Sequence, residues 1–359
     1  MRRAEWLLAV LGALLSVLWA LRVPGYGNGF PDEANHLAVA RYIAENRALP
    51  PYSFEYYESA HPPLYHLGAA VVYAAGGPLA VRLATAVLGG WLVLLVFCGV
   101  RAVSTRGVAL LAAALAATLP GRAFLFGGIT NEALATLAGA GVFSALTRRR
   151  WLALTLWSAV GAGAKLTGLI WVLGAATLGA RVGALALCGA LLSLGPWGLR
   201  NALLHGDPLL IRSSEAIWSE RIPGLDSWLE RGGRAIGYLA LVVRRGSESF
   251  VGVFDGFGRF LPWPAYLGTL ALPLLALVRR PRLRRSRRRR LALAGLIAAL
   301  GALGIFCAYN LRHFSPQGRF VYVALAPLLW WLAESWPARL RWLPPLWLCV
   351  WSAWALATA

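Results

Sequence analysis

The sequence predicts an all-α polytopic membrane protein with about eleven transmembrane helices. Three observations predict it. Of 359 residues, 58% are apolar and 14% charged, against about 45–50% and about 25% in soluble globular chains. The apolar residues gather in runs close to the length that crosses a bilayer. The net charge of +20 sits in short arginine clusters between those runs, the pattern that orients membrane proteins. With a mean hydropathy of +0.61, this composition excludes a soluble enzyme and a disordered chain. It also argues against nucleic acid as the partner of the basic charge, and for the lipid bilayer.

The first run, 6–23, follows Arg2-Arg3 and is not followed by an A-x-A site, so it reads as an uncleaved anchor. Further runs lie at 79–99, 107–120, 131–147, 151–164, 166–180, 182–199, 261–278, 291–309, 320–334 and 342–358. Residues 61–77 are apolar enough to cross but begin His61-Pro62-Pro63. Charge parity decides. If they do not cross and the N-terminus is cytoplasmic, 19 basic and 2 acidic residues face the cytoplasm. The outside then holds 16 basic and 13 acidic residues. If they cross, Arg148–Arg150 and the arginine run at 279–290 flip outside, against the positive-inside rule. The segment is therefore expected to lie in the plane or to re-enter. The same parity argues against one long span over 151–180. The 279–290 run itself reads as a topology anchor. The four cysteines (98, 188, 307, 349) lie inside apolar runs with no paired spacing and read as small hydrophobes.

This orientation places two long segments outside, 24–78 and 200–260. In the first, Pro31 and Asp32 open a short amphipathic helix carrying Leu37, Ala38, Ala40 and Ile43. Asp32-Glu33 have two readings: complements to the helix dipole, or, beside His36, a general base or cation site. His61 before two prolines is a helix cap or a donor to phosphate or sugar. Asp32, Glu33, His36 and His61 show no metal-ligand spacing, so no metal and no cofactor is assigned, although a divalent cation is chemically conceivable.

Lys165 is the only lysine among 35 basic residues and stands between two short apolar runs. An ionisable group at membrane depth costs about 2.5–3.5 kcal/mol on insertion scales, which makes it a functional candidate. Snorkelling to the outer interface is the plainer reading. Arg122, Arg200 and Arg319 fall at the same outer level. Singly each reads as an interface anchor; together with Lys165 they form a site for an anionic lipid headgroup. Asn131-Glu132 begin a span on that side, as a cap or as part of the site.

The order PDEANHLAVARYIAENRALP, YESAHPPLYH, AVRLATAVLGG, GGITNEALA, GAGAKLTGLIWVL, GPWGLRNALLHGDPL and QGRFVYVALAP resembles the GT-C superfamily. These are membrane glycosyltransferases that use polyprenyl-phosphate sugars, and the likeness is to the aminoarabinose transferase and protein O-mannosyltransferase branch. It covers about 1–210 and 317–327. The resemblance implies that Asp32 is the acidic residue of the first external loop taken as catalytic in the family, with Glu33 its neighbour. It implies a donor-phosphate contact at His61, matches Lys165 to a T-K-G-like position at the break between two short helices, and sets Glu132 where relatives usually carry Asp. Arg319 matches a Q-G-R-Y-like element in which Phe320 replaces Tyr. The large external C-terminal domain of many relatives has no counterpart here, which leaves acceptor recognition by such a domain without support.

The chemistry fits these residues independently. A sugar on a lipid phosphate has a good leaving group. It needs cations for the departing phosphate and a carboxylate for the acceptor's proton. The expected organisation is a catalytic membrane module over 1–200 containing the first loop 24–78, an external loop over 201–260, and C-terminal transmembrane helices over 261–359. The expected function is transfer of a sugar from a polyprenyl-phosphate donor to an extracytoplasmic acceptor, in the cell membrane with the active site outside. A transporter or flippase of an anionic or glycan-linked lipid is the alternative; it would place charges near the midplane and show repeat symmetry. A non-catalytic membrane partner is a third class, with no need of Asp32-Glu33 beside cations.

Overall fold

The computed structural model describes residues 3–27, 29–30, 32–218, 221–255, 258–279 and 286–359. Arg2, Pro31 and residues 280–285 of the arginine run lie outside the described residues. The chain is helical nearly throughout. Helix α1 spans Arg3–Arg22, α2 Glu33–Asn46 and α3 Leu64–Arg101. Next come α4 Arg106–Thr118, α5 Pro120–Gly127, α6 Asn131–Arg148, α7 Trp151–Ala164 and α8 Ile170–Ala176. Helix α9 spans Ala180–His205, α10 Ile211–Trp218, α11 Leu225–Glu230 and α12 Ala235–Val251. The strands β1 Val253–Phe254 and β2 Arg259–Phe260 pair antiparallel, with Val253 opposite Phe260. Helices α13 Trp263–Arg279, α14 Ser286–Arg312, α15 Leu325–Ser335 and α16 Leu343–Thr358 complete the chain. Short 3₁₀ turns at Tyr57–Ala60, Leu166–Leu169 and Gly318–Ala324 carry much of the site.

The breaks follow local chemistry. Helix α3 loses helical geometry at Gly76 and Gly77, where Gly77 has φ 68°, immediately before Pro78. A left-handed residue suits glycine, and proline cannot continue the preceding turn. The segment expected to lie apart from the next span is thus set off by a kink, within one long helix rather than as a separate element. Its first half packs on α2 through Ala40, Tyr65 and Ala69, with Val81 and Ile129. Pro120 ends α4, and α5 continues at an angle of 58°. Thr130 caps α6 by accepting from Glu132 N at 3.3 Å. At Lys165 the backbone is extended (φ −159°, ψ 142°), which separates α7 from the turn leading into α8.

Four described helices are long and apolar enough to cross a membrane: α1, α3, α9 and α14. The bent pair α4–α5 makes a fifth if counted as one span. The remaining apolar runs form helices of 7 residues, as in α8, to 18 residues, as in α6. The expected count of eleven spans therefore rests on the sequence alone. The 201–260 segment, expected as a loop, folds into α10, α11, α12 and the small strand pair.

The core lies where α3, α4, α6, α8, α14 and α15 meet, around Leu92, Leu115, Phe143, Trp171 and Trp330. Small residues let the backbones approach: a Cβ on Gly139 would collide with the Val323 carbonyl oxygen. That same oxygen accepts from Trp171 Nε1 at 2.9 Å.

Two polar ends result. At one, Arg288 pairs with Glu334 at 2.6 Å and donates to Ser104 Oγ at 3.1 Å, while Arg287 donates to the Thr147 carbonyl at 2.5 Å. At the other, Asp32, Glu132, Lys165 and Arg319 are drawn together. The four cysteines are free thiols.

Candidate functional site

Asp32 precedes α2 as its N-cap residue, yet its side chain does not cap the helix. Its backbone is left-handed (φ 61°), a conformation that Asp tolerates at some cost in strain. The carboxylate turns away instead. Oδ2 accepts from Arg319 Nη2 at 2.8 Å, and Oδ1 accepts from the Tyr57 hydroxyl at 3.3 Å. Asn35 Nδ2 donates to that same hydroxyl at 2.7 Å, which commits the phenol's one hydrogen to Asp32. A third of the Asp32 side chain stays accessible (34%), enough to meet a substrate.

Glu33 is fully buried. It accepts from Arg82 Nε at 2.8 Å and Nη2 at 2.5 Å, and from Ile129 N at 3.0 Å. Arg82 in turn donates to the carbonyls of Ala20, Val23 and Gly25. Glu33 is thus closed off as an anchor between α1, α2, α3 and the start of α6, and is not placed as a base.

Across from Asp32 stands a chain of alternating charge. Arg319 Nε lies 2.7 Å from Glu132 Oε2, and Lys165 Nζ donates to Glu132 Oε1 at 2.6 Å. Lys165 also sits over the Phe320 ring, 4.7 Å from its centroid. The extended backbone at Lys165 and the 3₁₀ turn after Gln317 deliver these two cations to one basin.

Behind Asp32, Glu58 Oε2 lies 3.4 Å from His36 Nε2 and 3.3 Å from His61 Nε2. His36 Nδ1 is 3.0 Å from His66 Nε2. Burial, and next the Asp32 charge, hold the Glu58 carboxyl well above the usual carboxylate range. Burial, with His66 beside it, holds His36 well below the ordinary histidine value. The cluster accordingly favours a protonated Glu58 beside a neutral His36. Among the described residues no group of three or more His, Cys, Asp or Glu is arranged to hold a metal ion.

Two residues expected here lie elsewhere. Arg122 is fully buried and donates to the carbonyls of Gly12, Gly89 and Ala117 and to Ser16 Oγ. It ties α1, α3 and the α4–α5 bend together. Arg200 donates to the carbonyls of Leu49 and Pro50 at 3.1 Å each, tethering α9 to the first loop. Both are engaged with backbone because neutral carbonyls, which a sequence does not advertise, are the nearest acceptors.

Sequence reasoning missed Tyr57, Glu58, His66 and Arg82. Arg82 carried a signal, a charge inside an apolar run. Glu58 lies three residues before His61, in reach across one 3₁₀ turn. Beside the basin, an apolar groove of about 310 Å³ runs between α12 and α14, lined by Leu239, Val242, Leu303 and Phe306. It reaches Gly318 and Val321, which flank Arg319 and Phe320.

No protein family matches the sequence, and no curated protein does. Two solved structures are similar in fold. One is ArnT from Cupriavidus metallidurans bound to undecaprenyl phosphate, at 17% identity and TM-score 0.60, covering 90% of this chain and 59% of that one. The other is the Archaeoglobus fulgidus oligosaccharyltransferase tethered by a disulfide to an acceptor peptide containing the NVT sequon. There the identity is 15% and the TM-score 0.54, over 92% of this chain and 49% of that one. The chain therefore spans roughly half to three fifths of the length of the structures it resembles. Both have the GT-C fold, and this chain shares it.

Proposed function

We propose that this protein is a glycosyltransferase that moves a sugar from a polyprenyl-phosphate donor to an extracytoplasmic acceptor. The observation that carries the reading is the Asp32–Arg319–Glu132–Lys165 chain, with contacts of 2.6–2.8 Å at the end of a membrane bundle. Lys165 and Arg319 supply the positive charge that a departing lipid phosphate needs. Asp32, on the same guanidinium, takes the proton of an acceptor hydroxyl as it attacks the anomeric carbon. Glu33 holds Asp32 in place by anchoring α2, and Tyr57 orients its carboxylate. The groove between α12 and α14 offers an isoprenoid chain an apolar path to the phosphate. The fold shared with a lipid-phosphate-bound transferase structure and an oligosaccharyltransferase supports the class of reaction. The protein belongs in the cell membrane, N-terminus cytoplasmic, with the basin outside.

The test is reconstitution in lipid with a polyprenyl-phosphate-linked sugar and an extract of cell-envelope acceptors. Transfer of label from donor to acceptor, lost in Lys165→Met and Asp32→Asn, is expected. Label that stays on the donor with every acceptor offered, while the donor crosses the bilayer, would favour a flippase.

A further inference from the structure

Lys165 and Arg319 are already engaged, and by one residue. Glu132 Oε1 accepts from Lys165 Nζ at 2.6 Å, and Oε2 lies 2.7 Å from Arg319 Nε. The two contacts differ in kind. The Arg319 Nε hydrogen points at Gln317 Oε1, 2.7 Å away. Glu132 Oε2 therefore has charge beside it and no hydrogen-bond donor, although it is buried. A buried carboxylate oxygen left in this way is held loosely compared with one that is fully bonded.

The charges in the basin also balance without a ligand. Lys165 and Arg319 face Asp32 and Glu132. Arg82, Arg122 and Arg200 are spent on Glu33 and on backbone carbonyls. An arriving phosphate would add a negative charge that these two cations can meet only by giving up a carboxylate. Glu132 is the one that bridges both. Its place in the first turn of α6 leaves it a favourable position once displaced, because the helix N-terminus stabilises an anion.

We propose that Glu132 is an internal stand-in for the donor phosphate. It keeps Lys165 and Arg319 in register while the site is empty, yields them to the phosphate, and returns to expel the lipid-phosphate product. This rests on the reading of the basin as a lipid-phosphate site. Glu132 acts on the reaction as a positioning and release residue.

The experiment measures the Kd and off-rate of polyprenyl monophosphate with the purified protein in lipid nanodiscs, for wild type, E132Q, E132D and K165M, with Tm alongside. E132Q should bind about tenfold tighter or more and release more slowly, since the competing charge is gone, even though its ligand-free Tm falls as two cations lose a carboxylate. A merely structural Glu132 would give weaker binding together with the lower Tm. E132D is one methylene shorter, reaches one cation at a time, and should fall between wild type and E132Q. If E132Q does not fold, E132D decides: tighter than wild type supports the proposal, equal or weaker overturns it. Wild-type binding that K165M weakens but E132Q leaves unchanged or weakens overturns the stand-in alone. If wild type and all variants fail to bind polyprenyl monophosphate, the lipid-phosphate reading itself falls.

Discussion

Glu33 and Arg82, 49 residues apart in sequence, form a two-pronged ion pair at 2.8 and 2.5 Å, with both side chains withdrawn from solvent. Their neighbours explain why this is an anchor. Arg82 spends its remaining donors on carbonyls at the end of α1 and just beyond it, and Glu33 accepts from the backbone ahead of α6. The pair therefore fixes where Asp32, one residue away, can stand.

Breaking one half of that pair leaves a buried charge alone. Arg82→Leu should destabilise the protein by about 3–5 kcal/mol, read as a lower Tm in detergent. Glu33→Gln with Arg82→Leu should recover part of the loss, because no ion is then stranded. An unaltered Tm in Arg82→Leu would remove the anchor argument.

Lys165→Met should weaken binding of a polyprenyl-phosphate ligand while leaving the helix break intact, since Met keeps much of the volume and loses the charge. Lys165→Arg should lose only part, because a planar fork does not replace a point charge. Equal affinities in a binding titration of all three proteins would count against Lys165 as the phosphate ligand.

Placing the site outside depends on topology. In a background lacking the four native cysteines, Leu79→Cys should react with an impermeant thiol reagent in intact cells, and Ser286→Cys should not. Both positions are exposed in the structure. The reverse labelling pattern would put the basin on the cytoplasmic side and end the extracytoplasmic reading.

Glu58 gives a pH signature. Its folded carboxyl is held above its unfolded value, so its contribution to stability is full below the unfolded pKa of about 4.3 and is lost as pH rises through the folded value. At pH 8 the folded protein bears the cost of a buried carboxylate. Glu58→Gln should then be more stable than wild type at pH 8, by about 1–3 kcal/mol, and the gain should shrink on acidification. His36 works in the opposite sense: its folded value is depressed, so its contribution is present above the unfolded pKa of about 6.5 and lost as pH falls. A Tm difference between wild type and Glu58→Gln that does not change from pH 8 to pH 5.5 would show that Glu58 does not titrate with folding.

The fold class was legible because it rests on composition and run lengths, which are properties of the chain itself. The helix break at Lys165 was legible for the same reason: a lone lysine divides two apolar runs. The basin was legible only in part. Asp32, Glu132, Lys165 and Arg319 meet as the shared outer level suggested. The sequence assigns Arg122 and Arg200 the same level, but level along the membrane normal says nothing of direction around the bundle. Glu33 looked equivalent to Asp32 because the two are adjacent. They differ because Asp32 precedes the helix in a left-handed conformation, whereas Glu33 begins α2 and faces Arg82. Tyr57 and Glu58 were hidden for another reason: a 3₁₀ turn has too little sequence periodicity to announce its facing side.

On the proposed reading, Asp32 is the residue on which the chemistry turns. A hydroxyl acceptor must lose its proton as it attacks, and Asp32 is the partly accessible carboxylate that shares a guanidinium with Glu132. Arg319 and the Tyr57 hydroxyl hold its two oxygens in place. Asp32→Asn keeps the shape and removes the base, so kcat should fall by about 10²–10⁴. Donor binding should survive, since the proposed phosphate ligands, Lys165 and Arg319, are unaltered. Tyr57→Phe should cost less, and in kcat rather than in KM, because it frees the carboxylate to rotate without altering the cations. Turnover of purified Asp32→Asn near the parent rate would defeat the assignment. One case separates the roles further. With an acceptor that is itself a phosphate, no proton need be removed. Asp32→Asn would then retain turnover on that acceptor while losing it on a hydroxyl acceptor, and the carboxylate's part would be reduced to holding Arg319 in place.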